Sequence, residues 1–230
     1  MHAADVMTPH VITVSPDSEV REIASLLVEH SISAVPVVDK DERVLGIVSE
    51  GDLIRRIVSD EAEESHGSWW LRLFSMADKD AEYVRTHGRL ASEIMTPSPV
   101  TVEEDEPLHR IAALLEKRGI KRVPVVRDGR LVGIVSRANL LRGFSVASPG
   151  EAPLDDDRAI REAILKEIDA HTGVIVDRLN IIVSGGNVQL WGLVESKEQR
   201  WAVQVAAENT QGVKAVENNL GFMPKGMGSF

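Results

Sequence analysis

The chain repeats itself. Residues 5–56 contain DVMTPHVITVSPDSEVREIASLLVEHSISAVPVV and then VLGIVSEGDLIRR; residues 93–144 contain EIMTPSPVTVEEDEPLHRIAALLEKRGIKRVPVV and then LVGIVSRANLLRG. Met7 maps to Met95 at an offset of 88 and Gly46 to Gly133 at an offset of 87, so the second copy has lost one residue in the turn between VPVV and GIVS. A period this long exceeds any solenoid unit and describes a duplicated small domain. Units of this size build a thin core, so two copies are expected to pair.

Each copy reads as strand, helix, strand, strand, helix. VITV and PVTV are short β-branched runs and predict strands. Pro16 and Pro107 sit near the starts of the following helices, with Ser15 or nearby acids as N-caps. Val20, Ile23, Ala24, Leu27 and Val28 recur at helical spacing, as do Leu108, Ile111, Ala112 and Leu115. AVPVV or RVPVV then gives a buried strand, DKDER or RDGR a polar turn, and LGIVS or VGIVS the hairpin partner. GDLIRRI or ANLLRGF closes each unit as a short helix.

From Asp157 the pattern changes. Ala159, Ile160, Ala163, Ile164 and Ile168 mark one helix face, and acids at 155–157 suit its start, where negative charge complements the dipole. LNIIVSGGNVQLWGLV predicts a hairpin turning at Gly185-Gly186-Asn187. SKEQRWAVQVAAENTQ predicts a second helix carrying Trp201, Val205 and Ala206 on one face, and GVKAVENNL a last strand. Trp191 and Trp201 could anchor a partner, but burial in the core is the favoured reading. Residues 147–155 form a linker and 58–91 an insert between the repeats. The insert crowds Trp69, Trp70, Leu71, Leu73, Phe74 and Met76 together, either as a partner or dimer contact or as cover for the domain's own core.

Composition narrows the chemistry. With Cys 0, disulfides, thiolate metal sites and cysteine nucleophiles are excluded. The formal net charge of -10 disfavours nucleic acid. The seven His are dispersed, which argues against a zinc site, and neither a P-loop nor a G-x-S-x-G element is present, so an enzyme is not expected. The N-terminus MHAADVMTPH has neither a basic nor an apolar leader region, and the expected location is the cytoplasm.

The repeated MTP at 7–9 and 95–97, VPVV at 35–38 and 123–126, and G-I-V-S-x-x-[DN] at 46–52 and 133–139 resemble CBS domains, a tandem pair of which forms a Bateman module. Gly186 before VQLWGLV, the helix start at Ser196, and GVKAVENNL with Gly212, Val213, Val216 and Asn218 resemble a BON domain over 156–224. The resemblance implies a mixed α/β (α+β) protein: a CBS unit at 1–57, a second at 92–146 related to it by pseudo-twofold symmetry, and a small α+β domain after them. It implies a cleft ligand of the adenosyl class, AMP, ADP or ATP, with S-adenosylmethionine or NAD as alternatives and no metal required.

Local chemistry then nominates residues. Asp52 at a helix start can accept two hydrogen bonds from a ribose diol, or can simply cap that helix. Ser49 can donate to a phosphate beside the helix amides. Thr13, Ala34, Val35 and Pro36 would line an adenine slot; Thr101, Val123, Pro124 and Ser136 are the matching positions of the second copy. Asn139 replaces the acid there and reads as a cap more readily than as a ligand contact. Residues 93–150 carry 9 basic and 7 acidic side chains against 5 and 10 in 1–56. Lys121, Arg122 and Arg137 therefore suit phosphate oxygens, or are solvated edge charges. The family also implies a homodimer. Lipid binding, known for BON proteins, is disfavoured by 8 basic against 12 acidic residues in 151–230 but stays open as the weaker alternative, beside a protein-binding or oligomer-building role for this domain.

Overall fold

The computed structural model describes residues 1–55, 88–146 and 155–223. The Trp69-Trp70 insert and most of the linker lie outside the described residues. Contacts divide the chain into one unit of Ile12–Pro99 and another of Met1–Val11 with Val100–Phe230. The cut falls inside each sequence repeat: the opening segment of each copy packs on the body of the other.

In the 12–99 unit, β1 (Ala34–Val38) and β2 (Val44–Ser49) form an antiparallel hairpin, with a bulge at Val37/Val38. The VITV run contributes one bridge: Val14 lies parallel to Val37, its N–H donating to the Pro36 carbonyl. Helix α2 (Val20–Glu29) packs Ile23 and Leu27 against Val35, Val37 and Val48, while Val28, at the edge of the predicted stripe, is exposed. Its N-cap is Glu19; Ser15 instead closes a local turn with Asp17 and Ser18. Helix α3 starts at residue 50 and is described to 55. Helix α4 (Ala91–Ile94) and the two-residue β3 (Thr96–Pro97) complete the unit, β3 pairing with Gly46 and Ile47 of β2.

The other unit repeats this plan. Helix α1 (Ala3–Val6) is the counterpart of α4, and Thr8 bridges Ile134 as Thr96 pairs with Ile47. β4 (Val102–Glu103) runs parallel to β5 (Arg122–Arg127), which pairs with β6 (Arg130–Ser136) and carries its bulge at Val125/Val126. Helix α5 (Leu108–Arg118) ends at Gly119, and α6 (Arg137–Val146) follows β6 directly.

The repeated motifs explain this crossing. A Cβ built on Gly46 would lie 2.2 Å from the Met95 sulfur, and one on Gly133 would lie 2.4 Å from the Met7 sulfur. The glycine of each G-I-V-S motif is therefore the floor on which the methionine of the other copy's MTP rests, and only a residue without a side chain leaves that space.

The C-terminal region is a three-stranded sheet of order β7-β8-β9. β7 (Leu179–Ser184) and β8 (Asn187–Val194) turn at Gly185-Gly186, both at positive φ as a two-residue hairpin requires. Helix α8 (Lys197–Glu208) carries the chain over to β9 (Ala215–Phe222), parallel to β8. Helix α7 (Asp155–His171) and α8 bury one sheet face through Ile160, Ile164, Ile168, Ile181, Leu190 and Val203. Asp157, expected only to begin α7, also accepts the Gly185 and Gly186 N–H groups at 2.9 and 2.8 Å. The buried stripe of α8 is Val203, Ala206 and Ala207; the expectation of a buried Trp201 is corrected, since Trp201 is 70% exposed and Val205 is exposed with it.

Because packing is tight at both glycines, Gly46→Ala and Gly133→Ala should each cost about 1–3 kcal/mol. In a double-mutant cycle by chemical denaturation, Met95→Ala should couple to Gly46→Ala and Met7→Ala to Gly133→Ala, with no coupling in the opposite combinations.

Candidate functional site

In the first repeat the β1–β2 pairing gathers the nominated residues at one end of the hairpin. Ala34 lies opposite Ser49, Pro36 accepts from Val14 next to Thr13, and the Glu50 N–H donates to the Ser33 carbonyl. Val35 is fully buried in the core, so it can present only its backbone to a ligand. At the start of α3, Asp52 Oδ2 accepts from the Ser49 N–H at 2.9 Å and from Ser49 Oγ at 2.7 Å. This is a helix-capping arrangement. Asp52 Oδ1 takes Arg55 at 2.9 Å, and while the Asp52 side chain is 13% exposed, Arg55 is 72% exposed. The carboxylate is thus ordered at a helix N-terminus and held on its outer oxygen by Arg55, whose Nε also donates to the Gly51 carbonyl at 3.1 Å.

The second repeat uses the same positions differently. Asn139 is 3% exposed. Its Oδ1 accepts from the Ser136 N–H at 2.8 Å and from Ser136 Oγ at 2.5 Å; its Nδ2 donates to the Val6 carbonyl at 3.1 Å and Thr8 Oγ1 at 3.4 Å. An amide has two donors and two acceptor lone pairs, so this side chain is fully occupied by protein. Val123 and Pro124 are buried, Val123 in the core, while Thr101, Lys121 and Arg137 are exposed. Lys121 and Arg137 are brought together, the Arg137 N–H donating to the Lys121 carbonyl, and Arg122 lies opposite Ser136. Arg127 is engaged elsewhere: its fork meets Glu104 at 2.8 and 2.5 Å and holds that carboxyl below its usual pKa.

A second cluster was not legible in the sequence. Helix α1 ends with carbonyls that have no intrahelical donor, and side chains of the C-terminal region supply donors. Arg161 on α7 donates to the Ala4 carbonyl at 2.7 Å, to the Met7 carbonyl, and to the Ile181 carbonyl at 2.7 Å. Asn180 on β7 donates to the Val6 carbonyl at 2.8 Å, and Arg158 to the buried Asp5 at 2.8 Å. Ile182, on the β7 face opposite the α7 and α8 core, is fully buried in one cluster with Val6 of α1 and with Leu108 and Ile111 of the second repeat. Arg142 of α6 lies 5.3 Å over the Trp191 ring and donates to Asn180 Oδ1 at 3.4 Å. Burial lowers the pKa of Arg142 and brings that of Arg161 to about 10, so Arg161 is charged at neutral pH, with three carbonyl dipoles in place of water. Among the described residues no cluster of His, Asp and Glu could hold a metal ion, and no helix is long and apolar enough to cross a membrane.

A duplicated helix-hairpin-helix unit joined to a small helix-covered sheet defines a multidomain α+β protein. The CBS domain family matches residues 3–59 and 91–146, and the BON domain family matches 156–223. The CBS domain-containing protein CBSX1, chloroplastic, of Arabidopsis thaliana is 36% identical over 138 residues, covering 56% of this chain and 57% of that protein. The chain therefore spans less than two thirds of that relative's length. The crystal structure of CBSX2 in complex with AMP, also from Arabidopsis thaliana, is 30% identical, with 63% of this chain and 96% of that one covered and a TM-score of 0.49. A CBS domain pair of protein MJ0100, solved with 5'-methylthioadenosine and S-adenosyl-L-methionine, is 26% identical, with 63% and 96% covered and a TM-score of 0.49. The chain belongs to the CBS-domain family, as a tandem pair with a C-terminal BON domain.

Replacing Arg161 by Met leaves buried carbonyls without a donor and should lower unfolding free energy by about 2–4 kcal/mol. Arg161→Lys should recover only part of this, since an ammonium cannot reproduce the planar fork. Unchanged denaturation midpoints in both variants would refute the role.

Proposed function

We propose that this protein is a non-enzymatic regulator whose first CBS repeat takes an adenosine-containing nucleotide, AMP, ADP or ATP, and whose BON domain carries the response to a protein partner in the cytoplasm. Asp52 receives the ribose diol once Arg55 turns outward, while Ser49 and the N-terminus of α3 meet the phosphate. Thr13 and the backbone of Ala34–Pro36 flank the adenine. The observation that carries the reading is the contrast between the repeats: among the described residues the outer oxygen of Asp52 meets an exposed arginine alone, whereas Asn139 has every donor and acceptor occupied. Membership of the CBS family supports the adenosyl class. S-adenosylmethionine and NAD are the alternatives, and no metal is required.

Calorimetry with AMP, ADP and ATP is the test. One nucleotide per chain is expected, and Asp52→Ala should weaken binding by about 1–3 kcal/mol, the loss of charged hydrogen bonds. Unchanged affinity in that variant removes the assignment.

A second reading, a scaffold that self-associates through its CBS repeats, is favoured by a specific pair of residues. Ile54 and Leu141, at equivalent positions of the two repeats, are 57% and 71% exposed. The exposed Trp201 and Val205 of α8 support a protein contact for the BON domain in either reading. Light scattering should give a dimer mass; a strictly monomeric chain with and without nucleotide would rule out self-association.

A further inference from the structure

Asn139 and Arg142 occupy the positions of Asp52 and Arg55, each at an offset of 87. In the first repeat those two side chains bind each other at 2.9 Å. In the second the neutral amide does not hold the guanidinium, and the pair has separated. Asn139 turns to the Val6 carbonyl and Thr8, and Arg142 covers Trp191 and meets Asn180. The Val6 carbonyl thereby accepts two amide donors, Asn139 from the second repeat and Asn180 from the BON domain.

We infer that position 139 is a selector: as asparagine it makes the second repeat the dock for the BON domain, and as an acid it would undo that dock. A carboxylate has no proton to give and would face the Val6 carbonyl oxygen with like charge. It would also draw Arg142 back, three residues along the same helix, as Asp52 draws Arg55, and so uncover Trp191. The second copy thus trades the acid that the first offers a ligand for an amide that fastens a neighbouring domain. This goes beyond the nucleotide reading and stands on geometry that does not involve a ligand.

The other charged groups at this junction are Asp5 of α1, with His2 beside it, Arg158, Arg161 and the exposed Glu162 of α7, Glu104 before α5, and Arg142 of α6. The charged side chains of α5 and β6 are exposed, as is Arg137 of α6, and β7 has none. Each variant is compared with the unmodified chain at the same pH.

The test is hydrogen exchange on full-length Asn139→Asp without nucleotide. At about pH 7, protection of the mutually paired Thr8 and Ile134 amides should fall about tenfold or more, and the Trp191 indole N–H resonance should shift as Arg142 leaves. Near pH 4, where an ordinary aspartate begins to protonate, the neutral acid can donate to Val6 and protection should recover. Asn139→Ala, with no donor at any pH, should stay deprotected at both. Full protection in Asn139→Asp at neutral pH, or a loss matching Asn139→Ala with no pH dependence, overturns the inference. If Asn139→Asp does not fold at neutral pH, recovery of folding on acidification supports the inference and failure at both pH values refutes it.

Discussion

A methionine resting on a glycine from the other repeat is the contact around which both CBS units are organised. Met7 on Gly133 and Met95 on Gly46 fix α1 and α4 against the hairpins, and the Thr8–Ile134 and Thr96–Ile47 pairings extend from the same contacts. Neither hairpin can fill that space with its own chain, because the bare glycine has no side chain to do so. Each unit is therefore complete only when the segment preceding the other repeat's first strand has crossed over. Once α1 is seated on the second repeat, its C-terminal carbonyls face outward, and Arg161 and Asn180 have something to bind.

The two repeats have diverged at a few atoms with large effect. Asp52 and Asn139 differ by an oxygen and an amino group, yet one is capped by its own serine and an exposed arginine, and the other is built into a buried junction. The basic character of the second copy divides the same way: Arg127 serves Glu104 and Arg142 serves Trp191, while Lys121 and Arg137 stay in water. Net charge by segment counts all of these equally and so cannot say which cations face a ligand.

Much of the architecture was legible in the residues. The β-branched hairpins, the amphipathic α2 and α5 and the Gly-Gly turn follow from periodicity and turn chemistry, and the helix, hairpin, helix order of each repeat is as expected, while the strand expected at VITV is a single bridge at Val14 and that at PVTV reaches only Val102. What sequence could not give is which copy a motif contacts, since a duplicated pattern is identical whether it packs on itself or on its twin. It also could not give Arg161 and Asn180, single polar residues within apolar stripes whose acceptors in α1 lie more than 150 positions away. Trp201 misled because residues 201 and 205 share helical spacing as well as 203, 206 and 207 do, and small residues, not the large ring, lie against the sheet.

The crossing of the opening segment also orders events during synthesis. Residues 1–11 are made before the groups that hold them: Gly133, Asn139, Arg161 and Asn180 follow well over a hundred residues later. At ~5–20 residues per second the segment waits on the order of ten seconds with its apolar face uncovered. The nascent chain then closes a loop of well over a hundred residues, a high-contact-order step that slows folding. Through that interval Ala3, Val6 and Met7, which end fully or nearly fully buried, are open to any chaperone that reads short apolar stretches.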